Sequence, residues 1–155
     1  MTRPRLIFVL AGEPSGDVLG GRLMAALKAA SGGVEFIGVG GPAMRAQGLD
    51  SLFPMEELSV MGIVEILPHA RRLFARMRQT AAAIDAARPD CVITIDAPEF
   101  AHGVAKRIRD RAIVRIHYVA PQLWAWRPWR VHKLKRHFHH LLGLLLHRLL
   151  LLLLD

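Results

Sequence analysis

The feature that most constrains the fold is an alternation of short apolar runs with longer stretches of helical periodicity. These runs lack the polar residue at every second position of a half-exposed strand, which predicts strands buried on both faces. The predicted strands cover residues 6–11, 35–39, 91–95 and 113–119. Strands that alternate with helices favour right-handed βαβ units. The sequence therefore predicts an α/β fold, a Rossmann-like parallel sheet with helices on both faces.

The predicted helices follow from apolar residues at three- and four-residue steps. They cover residues 17–30, 43–47, 69–87 and 100–109. At 155 residues the chain has the length of about one ordinary domain, and 52% hydrophobic residues exclude a disordered chain. Its single cysteine, Cys91, excludes a disulfide framework and indicates a reducing compartment.

Positive charge is concentrated in the last third of the chain. Residues 1–100 carry 10 Lys and Arg against 11 Asp and Glu, whereas residues 101–155 carry 11 against 2. This asymmetry indicates an anionic partner, which is a phosphate group, a nucleic acid or an acidic membrane surface. We expect no secretory signal, because the apolar run near the N-terminus ends in Gly-Glu-Pro-Ser-Gly-Asp rather than in a small-residue cleavage site. We also expect no membrane span, because His147 and Arg148 break the Leu-rich run over 141–155.

The clearest candidate site follows the first predicted strand. In open parallel sheets, ligands bind outside the carboxyl ends of the strands. Glycines there allow close backbone approach, and the following helix N-terminus favours an anion. Glu13 supplies a candidate base, and for Asp17 alone a helix N-cap is the favoured alternative. The candidate ligand-binding residues of this loop are Gly12, Ser15, Gly16 and Asp17.

Two further acids are candidates for catalysis. Asp96 comes directly after the third strand, where Pro98 stiffens the turn and a carboxylate can act as general base toward a hydroxyl. The alternative is that Asp96 caps the following helix. Glu65 stands alone among apolar residues, which indicates either a functional acid or a solvent-facing position.

The loop after the second strand matches a dinucleotide fingerprint. Residues 38–43 satisfy G-x-G-x-x-A, which leaves an NAD(P)-dependent oxidoreductase as an alternative function. That fingerprint normally opens the first βαβ unit and a long helix, whereas Pro42 starts a short one here. We therefore predict that Gly40 and Gly41 form a tight turn lining the cleft.

An aromatic, basic segment follows the fourth strand. Its candidate binding residues are Tyr118, Pro121, Trp124, Trp126 and Arg130. Such a segment is typical of a surface for a sugar, an acyl chain or a membrane interface, with packing on the sheet as the alternative. The histidines at 132, 137, 139, 140 and 147 have no accompanying metal-ligand spacing, so we predict surface positions and no metal site.

Several unusual strings, in fixed order, resemble the lipid-A-disaccharide synthases. They are AGEPSGD (11–17), Gly-Val-Gly-Gly-Pro-x-Met (38–44), LSVMGIVEILP (58–68), IDAPEF (95–100) and HYVAPQLWAWRPWR (117–130). The resemblance implies an inverting glycosyltransferase of GT-B architecture without a catalytic metal or cofactor. Such an enzyme joins UDP-2,3-diacylglucosamine to 2,3-diacylglucosamine 1-phosphate (lipid X), and lipid A disaccharide 1-phosphate and UDP are its products.

The resemblance also assigns roles and a location. Asp96 matches the acid proposed as general base toward the acceptor 6-hydroxyl. Glu13, Ser15, Asp17 and the VMG-x-x-E block with Met61 and Glu65 would shape the acceptor side. The implied location is the cytoplasmic face of the inner membrane, as a peripheral protein without a nucleic-acid partner.

The resemblance covers residues 5 to about 135. We therefore divide the chain into a Rossmann-like acceptor-side domain (1–135) and a Leu-rich tail of doubtful origin (136–155), and expect the C-terminal UDP-sugar domain to be absent. The chain alone is then expected to be inactive, and its tail suggests a homodimer. A third interpretation is a non-catalytic fragment that binds anionic lipid.

Overall fold

The computed structural model describes residues 4–58, 66–119 and 136–143. Its strands form one sheet in the order β2-β1-β3-β4-β5, and every neighbouring pair is parallel. They are β1 (Arg5–Ala11), β2 (Val34–Val39), β3 (Cys91–Ile95), β4 (Val114–Val119) and β5 (His140–Gly143). The four predicted strands are confirmed to within one residue at each end, and so is the parallel α/β class.

In the described residues, four α-helices and one 3₁₀ helix lie between the strands. The helices are α1 (Pro14–Ala30), α2 (Pro42–Ala46), α3 (Ile66–Ala87) and α4 (Pro98–Ala105), and the 3₁₀ helix covers Met55–Leu58. Helix α1 packs against α2, and α3 packs against α4. Because parallel crossovers are right-handed and run in opposite directions from β1 and β3, the two helix pairs cover opposite faces of the sheet.

Two helices differ from the prediction at their ends. Helix α1 begins at Pro14, three residues earlier than expected, because proline is well suited to a first turn whose N–H groups have no helical partner. Helix α4 covers Pro98–Ala105, so the predicted range of 100–109 is wrong at both ends. The Asp85 carboxylate accepts the N–H groups of Arg109 and Asp110, which draws that segment out of the helix.

The centre of the core is β1. Phe8, Val9 and Leu10 are completely buried, as expected for a strand with paired neighbours on both sides and helices on both faces. At the end of β2, Gly38 adopts a φ of +146°, and a Cβ there would lie 1.8 Å from the carbonyl oxygen of Val9. Only glycine fits this close approach of β2 to β1.

Strand β5 was not predicted. It pairs with β4 in the register Ile116 to His140. The Arg115 N–H donates to Nδ1 of His139 at 3.0 Å, and the His139 N–H donates to the Arg115 carbonyl at 2.8 Å. The strand lies beyond residue 135, so the described part of the predicted tail includes four residues of the sheet. The division of the chain at 135 stays a prediction.

Candidate functional site

The strand order creates a crevice between the carboxyl ends of β1 and β3. The chain leaves β1 toward β2 on one side, and β3 lies on the other side, which is the topological switch point where open α/β sheets bind ligands. The loops after these two strands touch there. A Cβ at Gly12 would lie only 2.6 Å from Cβ of Ala97, so glycine permits the contact.

Asp96 lies at this crevice in an unusual backbone conformation. Asp96 and Ala97 have φ values of 56° and 44°, both in the left-handed region. That region costs an L-alanine roughly 1–2 kcal/mol, and such residues cluster at functional sites. The Asp96 N–H donates to the Tyr118 carbonyl at 3.0 Å, which holds the turn against β4.

The Asp96 side chain is held on one side only. Its Oδ1 accepts the Ala97 N–H at 3.0 Å, whereas Oδ2 accepts no hydrogen bond from the residues that the structure describes. The N-cap of α4 is Ala97, and it has no side-chain hydrogen bond, so the alternative that Asp96 caps this helix is wrong. Among the described residues, Oδ2 therefore has no partner that a ligand would have to displace.

A hollow of about 250 Å³ opens beside Asp96. Residues of α1 form one wall of it, and the end of β3 with Asp96 forms the other. The residues that line it are Ser15, Gly16, Val18, Leu19, Arg22, Ile95 and Asp96. Three of the predicted site residues, Ser15, Gly16 and Asp96, are therefore brought together.

Glu13 shares this edge of the sheet with Asp96. It occupies the N-cap position of α1 in an extended conformation, and its side chain is exposed and caps no helix N–H. Since Ala11 and Ile95 are paired in register, Glu13 and Asp96 follow adjacent strand ends. Two of the three predicted catalytic acids thus lie on one side of the molecule.

Asp17 supports the neighbouring loop. Its side chain is 4% exposed and makes no cap for α1. Instead its carboxylate accepts the N–H groups of Gly41 (2.8 Å), Ala43 (2.9 Å) and Met44 (3.0 Å), the first turn of α2. The prediction that Asp17 caps its own helix is wrong, and its carboxylate does not line the hollow.

These bonds also explain the glycine-rich loop. A Cβ at Gly41 would lie 2.8 Å from Asp17 Oδ2, and one at Gly40 would lie 2.6 Å from the Met44 sulfur. The amides that would hold a dinucleotide phosphate are already bonded to Asp17, and α2 has only five residues. Gly41 is the N-cap residue of α2 and Gly40 precedes it, so these glycines support the loop. They do not line the hollow, and the tight turn stays a prediction.

An ion pair anchors the segment that covers Gly12. Arg76 donates to both carboxylate oxygens of Glu57 at 2.8 Å, and its guanidinium lies 4.6 Å from the centre of the Phe53 ring. The hydrogen bond from Arg76 lowers the pKa of Glu57. Through this pair, α3 holds Leu58 close to Gly12 at the base of the crevice.

Behind Asp96, a buried histidine links β3 and β4. His117 is 0% exposed, and its Nδ1 lies 2.6 Å from the Thr94 hydroxyl. Burial lowers the pKa of His117 to about 4, so the ring is neutral at pH 7. His137 is half-buried, with its ring 4.8 Å from that of His102, whereas His139 and His140 are exposed as predicted.

The remaining predicted site residues fall in two groups. Pro98 is the first residue of α4, and the half-buried Tyr118 side chain packs against the main core. Outside the described residues lie Met61, Glu65, Pro121, Trp124, Trp126 and Arg130.

Sequence reasoning missed three residues of the hollow, Val18, Leu19 and Arg22. With Ser15 they occupy positions i, i+3, i+4 and i+7 of α1, which is one face of a helix. The spacing was visible in the sequence, but it points to the site only once α1 is known to begin at Pro14.

Comparison with known proteins gives a consistent result. A family model described as lipid-A-disaccharide synthetase matches residues 7–146. A lipid-A-disaccharide synthase of Rhodospirillum centenum is 56% identical over 147 residues, covering 92% of this chain and 36% of that protein. One from Ruegeria pomeroyi is 54% identical over 140 residues, covering 90% and 35%. This chain thus spans about a third of the length of the curated relatives it matches.

A solved structure supports the fold. A Listeria monocytogenes protein assigned as a UDP-N-acetylglucosamine 2-epimerase superimposes with a TM-score of 0.55 at 12% identity, covering 90% of this chain and 38% of that one. In the described part of this chain, no helix is long and apolar enough to cross a membrane.

Proposed function

The chain belongs to the lipid-A-disaccharide synthetase family, and from that premise we propose that it forms the acceptor side of lipid A disaccharide synthesis. The acceptor is lipid X, the donor is UDP-2,3-diacylglucosamine, and UDP is released. The observation that carries this proposal is Asp96, held at the switch point beside a hollow and with one carboxylate oxygen available. The proposal concerns the acceptor side only, and the donor is assigned to the other half of a GT-B architecture.

The proposed chemistry is a single displacement. Asp96 accepts the proton of the acceptor 6-hydroxyl as that oxygen attacks the anomeric carbon of the donor. The new C–O bond forms while the bond from that carbon to UDP breaks, and UDP leaves with the electron pair. Attack from the face opposite UDP inverts the anomeric centre. A positioned base of this kind contributes roughly 10²–10⁴-fold to the rate.

The neighbouring residues hold the acceptor in place. Gly12 and Gly16 keep the backbone of the first loop close to β3, since a Cβ at Gly16 would lie 3.3 Å from the Ile95 carbonyl. The exposed Ser15 and Glu13 side chains are available for hydrogen bonds to sugar hydroxyls. Glu65, Met61, Pro121, Trp124, Trp126 and Arg130 stay predicted members of the same site.

We extend the proposal to peripheral binding on the cytoplasmic face of the inner membrane. The outer surface of α3 is basic and carries an aromatic ring: Phe74 is 51% exposed and lies under Arg107, which follows α4. Exposed arginines of this surface include Arg71, Arg72 and Arg78. Basic residues with an apolar side chain are typical of surfaces that bind anionic lipid. A homodimer through the Leu-rich tail stays a prediction.

The acceptor role is tested by binding and by catalysis. The purified chain should bind lipid X in mixed detergent micelles. In a full-length relative whose matching segment is replaced by residues 7–143 of this chain, Asp96→Asn should lower kcat by about 10² or more with little change in KM. Asp50→Asn, an exposed acid outside the hollow, is the matched control. No binding of lipid X, or full activity of the Asp96→Asn chimera, would refute the proposal.

A further inference from the structure

The hollow beside Asp96 continues along α1 to the side chain of Arg22. Ser15 and Arg22 are seven residues apart on one helix face, so the hollow runs for about 10 Å from the crevice. Between them lie Val18 and Leu19, and Val18 is 48% exposed. A large apolar side chain in this position offers a surface for the hydrocarbon part of a ligand.

Arg22 differs from several other arginines of the chain. Arg76 is paired with Glu57, Arg107 donates to the Gly103 carbonyl, and Arg115 donates to the Ala105 carbonyl. Arg22 is exposed and makes no hydrogen bond or ion pair with any residue that the structure describes. Its planar guanidinium can therefore take both oxygens of a phosphate, the geometry that arginine favours.

We propose that Arg22 binds the phosphate of an amphiphilic phosphate monoester whose hydroxyl end lies at Asp96 and whose apolar part covers Val18 and Leu19. This inference rests on the proposed function, for which it identifies the orientation of the acceptor. In a hexose 1-phosphate, C1 and C5 both flank the ring oxygen, so the phosphate and the 6-hydroxyl project from the same edge of the ring as two separate groups. Arg22 and Asp96 both line the hollow, so each of these groups has a partner there.

The charges of the hollow select this orientation. A phosphate at the crevice end would meet the carboxylate of Asp96, with Glu13 on the same edge, and like charges there disfavour it. Beside Arg22, by contrast, the phosphate lies next to a positively charged guanidinium group. With a volume of about 250 Å³, the hollow is smaller than the roughly 300–1,000 Å³ of a site for a drug-sized ligand. It therefore encloses only part of a diacylated sugar.

The test uses the full chain and n-octyl phosphate below its micelle concentration, followed by NMR titration. Arg22→Gln should weaken binding about tenfold or more, the loss typical of a charge-assisted hydrogen bond. Arg45→Gln, which removes an exposed arginine of α2 outside the hollow, is the matched control and should bind as the parent does. Octyl glucoside should bind the parent and Arg22→Gln alike.

Two further measurements separate the contribution of the phosphate group to binding from that of the alkyl chain. Inorganic phosphate alone should bind more weakly than n-octyl phosphate, and Val18→Asn should weaken only the alkylated probe. Equal loss in Arg22→Gln and Arg45→Gln, or no loss in either, overturns the inference. Circular dichroism checks the fold of each variant, and Arg22→Lys, which keeps the charge without the planar fork, should recover part of the affinity.

Failure of this inference is distinguishable from failure of the proposed function. If the parent and Arg22→Gln bind lipid X equally, the Arg22 subsite is refuted while the acceptor role stands. If the parent does not bind lipid X but its binding of n-octyl phosphate depends on Arg22, the subsite exists and the proposed acceptor is wrong.

Discussion

Among single residues, Asp17 has the largest structural role that the sequence concealed. Three N–H groups from the start of α2 converge on its buried carboxylate. A buried carboxylate is stable only when hydrogen bonds replace the water that it loses. Asp17 therefore fixes the second loop to α1, and it does so two residues away from Ser15, which lines the hollow.

We expect Asp17→Asn to destabilise the fold by roughly 2–4 kcal/mol. The amide keeps the size of the side chain but presents an NH₂ group to buried donors, and each unsatisfied buried donor costs about 1–3 kcal/mol. Urea denaturation followed by circular dichroism measures the change. The exposed Asp50→Asn is the control and should shift stability by no more than about 0.5 kcal/mol. Equal stability of both variants would contradict this role.

Among the elements, β5 shows how a strand can be specified by its neighbour. Strand β5 has only four residues, and the sequence that follows it is mostly leucine, which does not indicate a strand. What places them is the exchange of hydrogen bonds between Arg115 and His139, and the ring of Phe138, which is buried against Ala101 and Ala105. Both contacts join residues that are distant in the sequence, so the strand propensity of residues 140–143 alone does not predict them.

Truncation tests this element. A chain ending at Gly143 should be more stable than one ending at residue 135, because the shorter chain exposes the β4 edge and the surfaces of Ala101 and Ala105. Loss of a buried phenylalanine contact typically costs about 3 kcal/mol, so the midpoint of thermal unfolding should fall by several degrees. Equal midpoints would instead favour the predicted domain boundary at 135.

At the scale of the whole molecule, strand β4 carries two buried basic side chains, Arg115 and His117. His117 and Arg115 project from β4 toward α4 and the segment around Phe138. Burial lowers the pKa of Arg115, and burial with nearby Arg111, Arg115, Lys106 and Arg136 lowers that of His137. The lowered pKa values of the two histidines, His117 and His137, therefore make this part of the fold sensitive to acid.

Stability should consequently fall as the pH is lowered from about 6.5 to about 4. Folded His117 has a pKa of about 4, whereas the ordinary value is 6.5, so in this window the unfolded chain binds more protons. The contribution, on the order of 3 kcal/mol, is fully present above pH 6.5 and is lost as the pH approaches 4. Urea titrations at several pH values should show a smaller dependence in His117→Gln. The exposed His140→Gln is the control, and identical slopes for His117→Gln and the parent would contradict the assignment.

The sequence predicted those features of the fold that depend on residues close together in the chain. The spacing and apolar content of the short runs predicted four strands and their parallel arrangement. The glycine, proline and acidic residues after these runs indicated the crevice at the ends of β1 and β3. Resemblance over five ordered blocks indicated the family that comparison confirmed. The helix starts at Pro14 and Pro98 were missed, because a proline was interpreted as a turn rather than as a first helical residue.

By itself, then, the sequence determined the α/β class, the family, and the edge of the sheet at which the candidate site lies. Only the tertiary structure decided the partners of the two carboxylates. Asp17 is bonded to three amides, whereas Oδ2 of Asp96 accepts no hydrogen bond from the described residues. It also decided that Arg22 shares a hollow with Asp96 and that β5 joins the sheet. The physical reason is that periodicity is a local property, whereas the partner of a carboxylate or a strand edge is chosen by folding among residues far apart in the chain.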